Sequence, residues 1–479
     1  MSKRFQPLMA APLILVLLCS AEPVLRAQAT RAPASRKSKA RRAARKSASA
    51  TPPPPKVTLP PPPSELILKT GDRIIWLGDS ITAAEVYGRD VEAFLMIRRP
   101  DLSLSFINSG VGGNSAWDGL RRLESDVIAE HPTVVVINFG MNDSAATNGH
   151  HADFMNNMEA IFASLRAANI HRIVWVEPTP VDTYGSAGIA AIRHAARLNK
   201  VVAEIETHPA EPDITVVHWN APMKWALQRY RADGGHLIPD RIHPNTYGHA
   251  VMAAELLRGI GARISPSDIE STFNGGVLTT TFERWDEQSA SSSKVTTDTP
   301  MASGSPANIN LSGIVPPVPW INYREASRLD NQAVLAARTL RWRALGLAPQ
   351  VRFSVALGDY SAGEYSGAQL AEGVDLMDGV ERSLPLESSG DACAAANPIP
   401  FETETDCALS LVLKKDQLRM LMRGERTRSL PDIIPDRLSA YFSFMSSWLA
   451  DVETADRSKV QELREKPHIL RIVQSDYHP

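Results

Sequence analysis

"IIWLGDSITAAE", residues 74 to 85, begins as an apolar run, stops at Gly78-Asp79-Ser80 and continues with a helix-like pattern. A short run of this kind reads as a strand buried on both faces, and Gly-Asp-Ser reads as the corner that ends it. Four more β-branched runs follow: "LSLSFIN" (102–108), "TVVVINFG" (133–140), "RIVWVEP" (172–178) and "DITVVHW" (213–219). Helical patterns separate them, among them "AWDGLRRLESDVIAE", "DFMNNMEAIFASLRAA" and "IAAIRHAARLNKVVAEI". This alternation predicts a parallel five-stranded sheet covered on both faces, within a domain over residues 66–264. Ligands of such sheets bind outside the carboxyl ends of the strands.

Those ends carry chemistry. The first holds Gly78-Asp79-Ser80, the second Gly112, Gly113 and Asn114, and the third Gly140-Met141-Asn142-Asp143. Beyond the last strand, "PDRIHPNTYGHAVMAAELL" places Asp240 and His243 three residues apart before a helix. Taken singly each is ordinary: a turn, a tight glycine loop, a helix cap, a surface loop. In this order, on one sheet edge, they fit acyl transfer. A serine hydroxyl becomes a nucleophile when an imidazole takes its proton, and a carboxylate fixes the tautomer of that imidazole and stabilises its charged form. Ser80, His243 and Asp240 supply the set. Pro244 favours an extended backbone at His243 and suits the first turn of the following helix. The N–H groups of Ser80 and Gly113 and the side-chain amide of Asn142 are candidate donors to an oxyanion. Asp79 and Asn114 are expected to support the site, and Pro178 and Thr179, in "EPTPVDTYG" after the fourth strand, to line the substrate cleft.

"GDSI", "VGGN", "GMND" and "DRIHP" resemble the four signature blocks of the SGNH hydrolases, also called the GDSL esterase/lipase superfamily. The resemblance spans about residues 66 to 264. It implies a flavodoxin-like three-layer α/β/α sandwich, Ser80 as nucleophile, Gly113 and Asn142 as oxyanion donors, and Asp240 and His243 completing a triad. Ile81 stands where many members have leucine, a change conservative in size and polarity. Gly-x-Ser-x-Gly is absent around Ser80, which argues against an α/β-hydrolase.

The flanks read differently. Residues 1–29 have the pattern of a signal peptide: Lys3 and Arg4, the apolar "LMAAPLILVLLCSA", and a small-x-small site at Ala27-Gln28-Ala29. Cys19 raises lipidation as an alternative, although Leu18 stands where a small residue would be expected. No later run is long and apolar enough for a membrane helix. Residues 30–65 are basic and proline-rich, a composition that cannot bury a core, and read as a disordered linker. Of 51 Lys+Arg and 53 Asp+Glu, residues 1–63 hold 12 basic residues and one acid, Glu22, which leaves 39 against 52 beyond them, a net of −13. An acidic body argues against nucleic acid as a substrate. The basic arm reads as a solvated tether or as a contact to an anionic envelope polymer.

Residues 265–479 read as a smaller mixed accessory region. "ASSSKVTTDTPMASGSPAN" reads as a loop, "QVRFSVALGDYSAGEYSGAQLAEGV" as short strands with turns, and the last 70 residues as largely helical. Cys393 and Cys407 are expected to form a disulfide after export. Leu438, Tyr441, Phe442, Met445, Trp448 and Leu449 form a helical stripe that packs on the body or binds a membrane surface. His150, His151 and Asp153 read as a surface loop, and no cofactor or metal motif is present. The substrate expected is a short acyl ester, acetyl on a carbohydrate. A lysophospholipase or longer-chain lipase, and a non-catalytic envelope-binding protein on a hydrolase fold, are the alternatives.

Overall fold

The computed structural model describes residues 61–145 apart from 62, then 153–185, 187–286, 291–302, 305–383, 405, 407–412, 415, 454–455 and 457–475. The expected leader with Cys19, the basic segment to residue 60, His150, His151, Cys393 and the 438–449 stripe lie outside the described residues.

Strands β1 (Arg73–Gly78), β2 (Ser105–Gly110), β3 (Val134–Asn138), β4 (Ile173–Val176) and β5 (Ile214–Val217) form a sheet of order β2-β1-β3-β4-β5. Every pairing in it is parallel. This is the doubly wound flavodoxin-like order, in which the chain changes direction across the sheet between β1 and β3. Strands β3 and β4 are buried at every position, as expected when helices cover both faces. Helices Val86–Arg98, Asn220–Ala232 and Thr246–Gly259 contribute to one apolar core, and Phe154–Ala167 with the outer half of Ile189–Glu206 to the other.

Two local readings change. β2 starts at Ser105, because Leu102 closes a turn onto the Arg99 carbonyl and the ladder to β1 pairs Ser105 through Gly110. The helical pattern at 116–130 is three short pieces, Ala116–Arg121, Leu123–Asp126 and the 3-10 turn Ile128–Glu130. The breaks fall at Arg122 and Val127, whose backbones leave helical dihedrals.

The C-terminal region has its own core and two sheets. β6 (Ser267–Asn274), β7 (Val277–Asp286), β8 (Ser291–Pro300), β10 (Leu340–Leu345) and β13 (Val374–Asp375) are ordered β13-β10-β6-β7-β8. β9 (Ala307–Asn310), β11 (Arg352–Leu357), β12 (Tyr360–Ser366) and β14 (Ile469–Gln474) are ordered β12-β11-β14-β9. Residues 291–300, expected to be a loop, are therefore a strand. β8 pairs with β7 along its whole length, and hydroxyls meet across the ladder, Thr281 with Thr296 at 2.9 Å. The last 70 residues are not helical throughout either: residues 457–465 are, but β14 lies between β11 and β9. Its alternating burial supplies Leu470 and Ile472 to the core.

Candidate active site

Gly78 ends β1 where a side chain cannot fit: a Cβ there would lie 2.2 Å from Thr82 Oγ1 and 2.8 Å from the Asn138 carbonyl. The chain turns at once into the helix Ser80–Ala83, whose N-cap is Asp79. Asp79 Oδ1 accepts the Ile81 N–H at 2.9 Å, so this buried carboxyl fixes the turn that presents Ser80. Burial pushes the Asp79 carboxyl up to about 7, with the charge of Asp143 adding to the rise.

Ser80 Oγ lies 2.8 Å from His243 Nε2, and His243 Nδ1 lies 2.6 Å from Asp240 Oδ2. Because a carboxylate only accepts, Nδ1 carries the proton and Nε2 offers its lone pair to the Ser80 hydroxyl. Asp240 Oδ1 also accepts the N–H groups of Ile242 at 3.0 Å and His243 at 2.7 Å. Burial raises the Asp240 carboxyl, but these bonds and the imidazole together hold it below its ordinary value. Arg241, between the two, adopts a left-handed φ of 78°, a conformation that costs a non-glycine residue and is sustained by its surroundings. Its guanidinium donates to the carbonyls of Asp182 and Tyr184, both at 3.1 Å. The site is open: the His243 and Asp240 side chains are 47% and 57% exposed.

The residues expected to donate to an oxyanion follow β2 and β3. Gly112 and Gly113 are exposed at the end of β2, and Gly113 has φ +78°, which glycine adopts without strain. Asn142 Nδ2 donates one hydrogen to the Asn114 carbonyl at 2.9 Å. The amide has a second hydrogen, so Asn142 is oriented by one bond and left able to make another. Asn114 is held in turn by Arg122 Nε on its Oδ1 at 2.7 Å, while Arg122 Nη2 reaches the Gly78 carbonyl at 3.0 Å.

Asp143 reaches the first N–H of the helix Ala116–Arg121, whose N-cap is Ser115. Asp143 Oδ1 accepts the Ala116 N–H and its Oδ2 the Gly140 N–H, both at 3.0 Å, which locks the two donor loops together. Burial pushes this carboxyl up to about 6. His194 Nε2 donates to the Met141 carbonyl at 3.0 Å, and Arg197 Nε to the Ser144 carbonyl at 2.5 Å, which anchors the Asn142 loop from the helix Ile189–Glu206. Sequence offered no signal for Arg122, His194 or Arg197, since their partners are 8 to 53 residues away.

Pro178 and Thr179, expected to line the cleft, are buried behind it. Asn220 Nδ2 donates to the Pro178 carbonyl at 2.7 Å and holds that stretch inside, so the chain becomes exposed only at Thr183 and Tyr184 further on. Cys407 is buried and disulfide-bonded. Among the described residues, two groups have donor sets a metal ion would accept, Glu159 with His208 and Glu211, and Glu177 with Glu206 and His218. Each is already tied internally, His208 to Glu159 at 2.8 Å and His218 to Glu177 at 2.6 Å.

A β2-β1-β3-β4-β5 parallel sheet that gathers serine, glycine, asparagine and histidine at its carboxyl edge is the arrangement of an SGNH-type hydrolase. Residues 76–251 match the GDSL-like lipase/acylhydrolase family. An acetylxylan esterase of Geobacillus stearothermophilus is 24% identical over 224 residues, 40% of this chain and 95% of that protein. The solved structure of a gut microbial diltiazem-metabolizing enzyme has a TM-score of 0.60 at 17% identity, over 86% of this chain and 99% of that one. That fold likeness therefore runs past the sheet into the C-terminal region. The domain at 76–251 is of the SGNH/GDSL hydrolase superfamily, and the chain is a carboxylic ester hydrolase.

Proposed function

We propose that the chain is an exported serine esterase that removes short acyl groups, acetyl groups on carbohydrates in particular, through an acyl-enzyme on Ser80. The hydrogen-bonded line from Ser80 through His243 to Asp240 carries this reading, at 2.8 and 2.6 Å. Ser80 Oγ attacks the acyl carbon while its proton passes to His243 Nε2, and Asp240 stabilises the resulting imidazolium. The charge that develops on the acyl oxygen faces the N–H groups of Ser80 and Gly113 and the second amide hydrogen of Asn142. As the C–O bond breaks, Nε2 returns the proton to the departing alcohol. Water, deprotonated by the same imidazole, then attacks the acyl-enzyme and releases the acid and free Ser80.

The open site favours an ester displayed on a bulky polymer, and the name of the Geobacillus stearothermophilus relative supports an acetylated glycan. Export rests on the leader-like pattern of residues 1–29. A lipase reading is favoured by three exposed large apolar side chains close in sequence, Tyr184, Ile189 and Ile192, which suit longer acyl chains. Initial rates on p-nitrophenyl esters of increasing acyl length, with Ser80→Ala in parallel, decide between them. Activity that falls steeply beyond acetate and vanishes in the variant is the expected result. Rates that climb with chain length would move the substrate to lipids, and activity retained in the variant would remove Ser80 from the mechanism.

A further inference from the structure

The segment after β4 reaches the loop that carries Asp240 and His243. Asp182 N–H donates to the Arg241 carbonyl at 3.0 Å, and the Arg241 guanidinium returns to the Asp182 and Tyr184 carbonyls. Successive Cα atoms are 3.8 Å apart, so Arg241 lies within about 8 Å of His243. A substrate that places its acyl carbon at Ser80 must lay its alcohol part close to this segment or to the donor loops opposite.

Next to it is a depression of about 220 Å³, walled by Asp182 and Thr183 and by Asn199, Lys224, Gln228 and Arg231 from two helices. Its lining is mixed: Pro180, Val181, Ala195 and Leu227 are apolar, and the polar side chains other than Asp182 bring hydrogen-bond donors. Asp182 is 6% exposed and already engaged, accepting from the Tyr184 N–H at 2.9 Å and paired with Arg231. Lys224 Nζ gives one hydrogen to Asn199 Oδ1 at 2.9 Å, and an ammonium has three. The remaining hydrogens and the Asn199 amide suit hydroxyl groups.

Tyr184, next in the chain to the lining residue Thr183, is 63% exposed. Arg231 Cζ lies 3.9 Å from the centroid of its ring and covers one face. Bonds to both its N–H and its carbonyl fix its backbone, so the other face is presented in a set direction. An aromatic face carries negative partial charge and attracts the C–H groups of a sugar ring.

We propose that Tyr184 and this depression form the subsite for the sugar that bears the ester, its ring stacked on Tyr184 and its hydroxyls meeting Lys224 and Asn199. The assignment rests on the acyl-glycan reading above. It is tested with Tyr184→Ala and Tyr184→Phe in the full chain. An unacetylated xylo-oligosaccharide is titrated into each on a Ser80→Ala background. The KM and kcat for the acetylated oligosaccharide are measured on the active background, together with p-nitrophenyl acetate hydrolysis.

Tyr184→Ala is expected to weaken oligosaccharide binding about tenfold and to raise KM for the acetylated form by a similar factor with kcat kept, while Tyr184→Phe restores both. Equal binding by Tyr184→Ala and its parent overturns the subsite even where the acetylated glycan is hydrolysed. A parent enzyme that cleaves p-nitrophenyl acetate but not the acetylated oligosaccharide overturns the glycan reading, and the subsite with it.

Discussion

The sheet that carries Ser80 and the sheet that carries β7 and β8 have five strands each, yet their sequences obey different rules. In the first, β3 is buried at all five positions, because helices close both faces. In the second, β10 alternates buried and exposed along its whole length, and β8 has no buried position. One sheet faces protein on both sides and the other faces water on one, so the first concentrates apolar residues while the second disperses them among Ser and Thr. Chemistry gathers on the first because all its strands point the same way and deliver their ends to one edge. The antiparallel pairs of the second distribute their ends between two edges.

This contrast predicts that lesions in the two regions separate activity from stability. The largest effect is Ser80→Ala, expected to lower kcat on p-nitrophenyl acetate by about 10⁴–10⁶ with the melting temperature barely moved. A comparable loss from a folded C-terminal core variant would break the division. Trp342→Ala is that variant. Trp342 is fully buried and donates from Nε1 to Ser271 Oγ at 2.9 Å, so its truncation should cost about 3–5 kcal/mol in denaturant unfolding and leave kcat of the folded enzyme near normal. Asn142→Ala should lower kcat by about 10²–10³, measured on the same ester, and little change would dismiss its role as an oxyanion donor.

A smaller effect appears in the pH dependence of stability. Burial holds the Asp79 carboxyl at about 7 against an ordinary 3.8, so the folded state keeps a proton that the unfolded chain has lost. Stability contributed by that proton is present at low pH and declines as pH rises from about 4 to about 7, then levels. Asp79→Asn keeps an acceptor for the Ile81 N–H and should flatten that decline, read from urea midpoints at pH 4, 5.5 and 7. The smallest change is Thr281→Ala, which removes one cross-strand hydroxyl pair on an exposed face and should cost about 0.2–1 kcal/mol.

Much of the first sheet was legible because apolar continuity and glycine corners are local signals. The hydrogen-bonded line of Ser80, His243 and Asp240 could be read from strand-end position. What escaped was whatever depends on a partner far along the chain: Arg122 bridging Asn114 and Gly78, Asp143 joining the Ala116 and Gly140 amides, and Tyr184 pinned by Arg231. Pro178 and Thr179 were placed in the cleft by their position after β4, and Asn220, which draws them inward, lies 42 residues from Pro178. β8 was missed for another reason. Ser, Thr and Pro mark turns by composition, but β-branched Thr and Val also suit an exposed strand, and the ladder with β7 decided between them.

β14 has a consequence for biosynthesis. It is the inner strand between β11 and β9, with Arg471 paired to Asn308 across 163 residues. A ribosome that has made the whole catalytic sheet and the β11–β12 hairpin has still not supplied this strand. Until residue 474 emerges, β9 and β11 each present an open edge, the kind of surface on which nascent chains stick to one another. Completion of the C-terminal region therefore waits for residue 474, whereas the sheet that holds Ser80 has all its strands some 250 residues earlier.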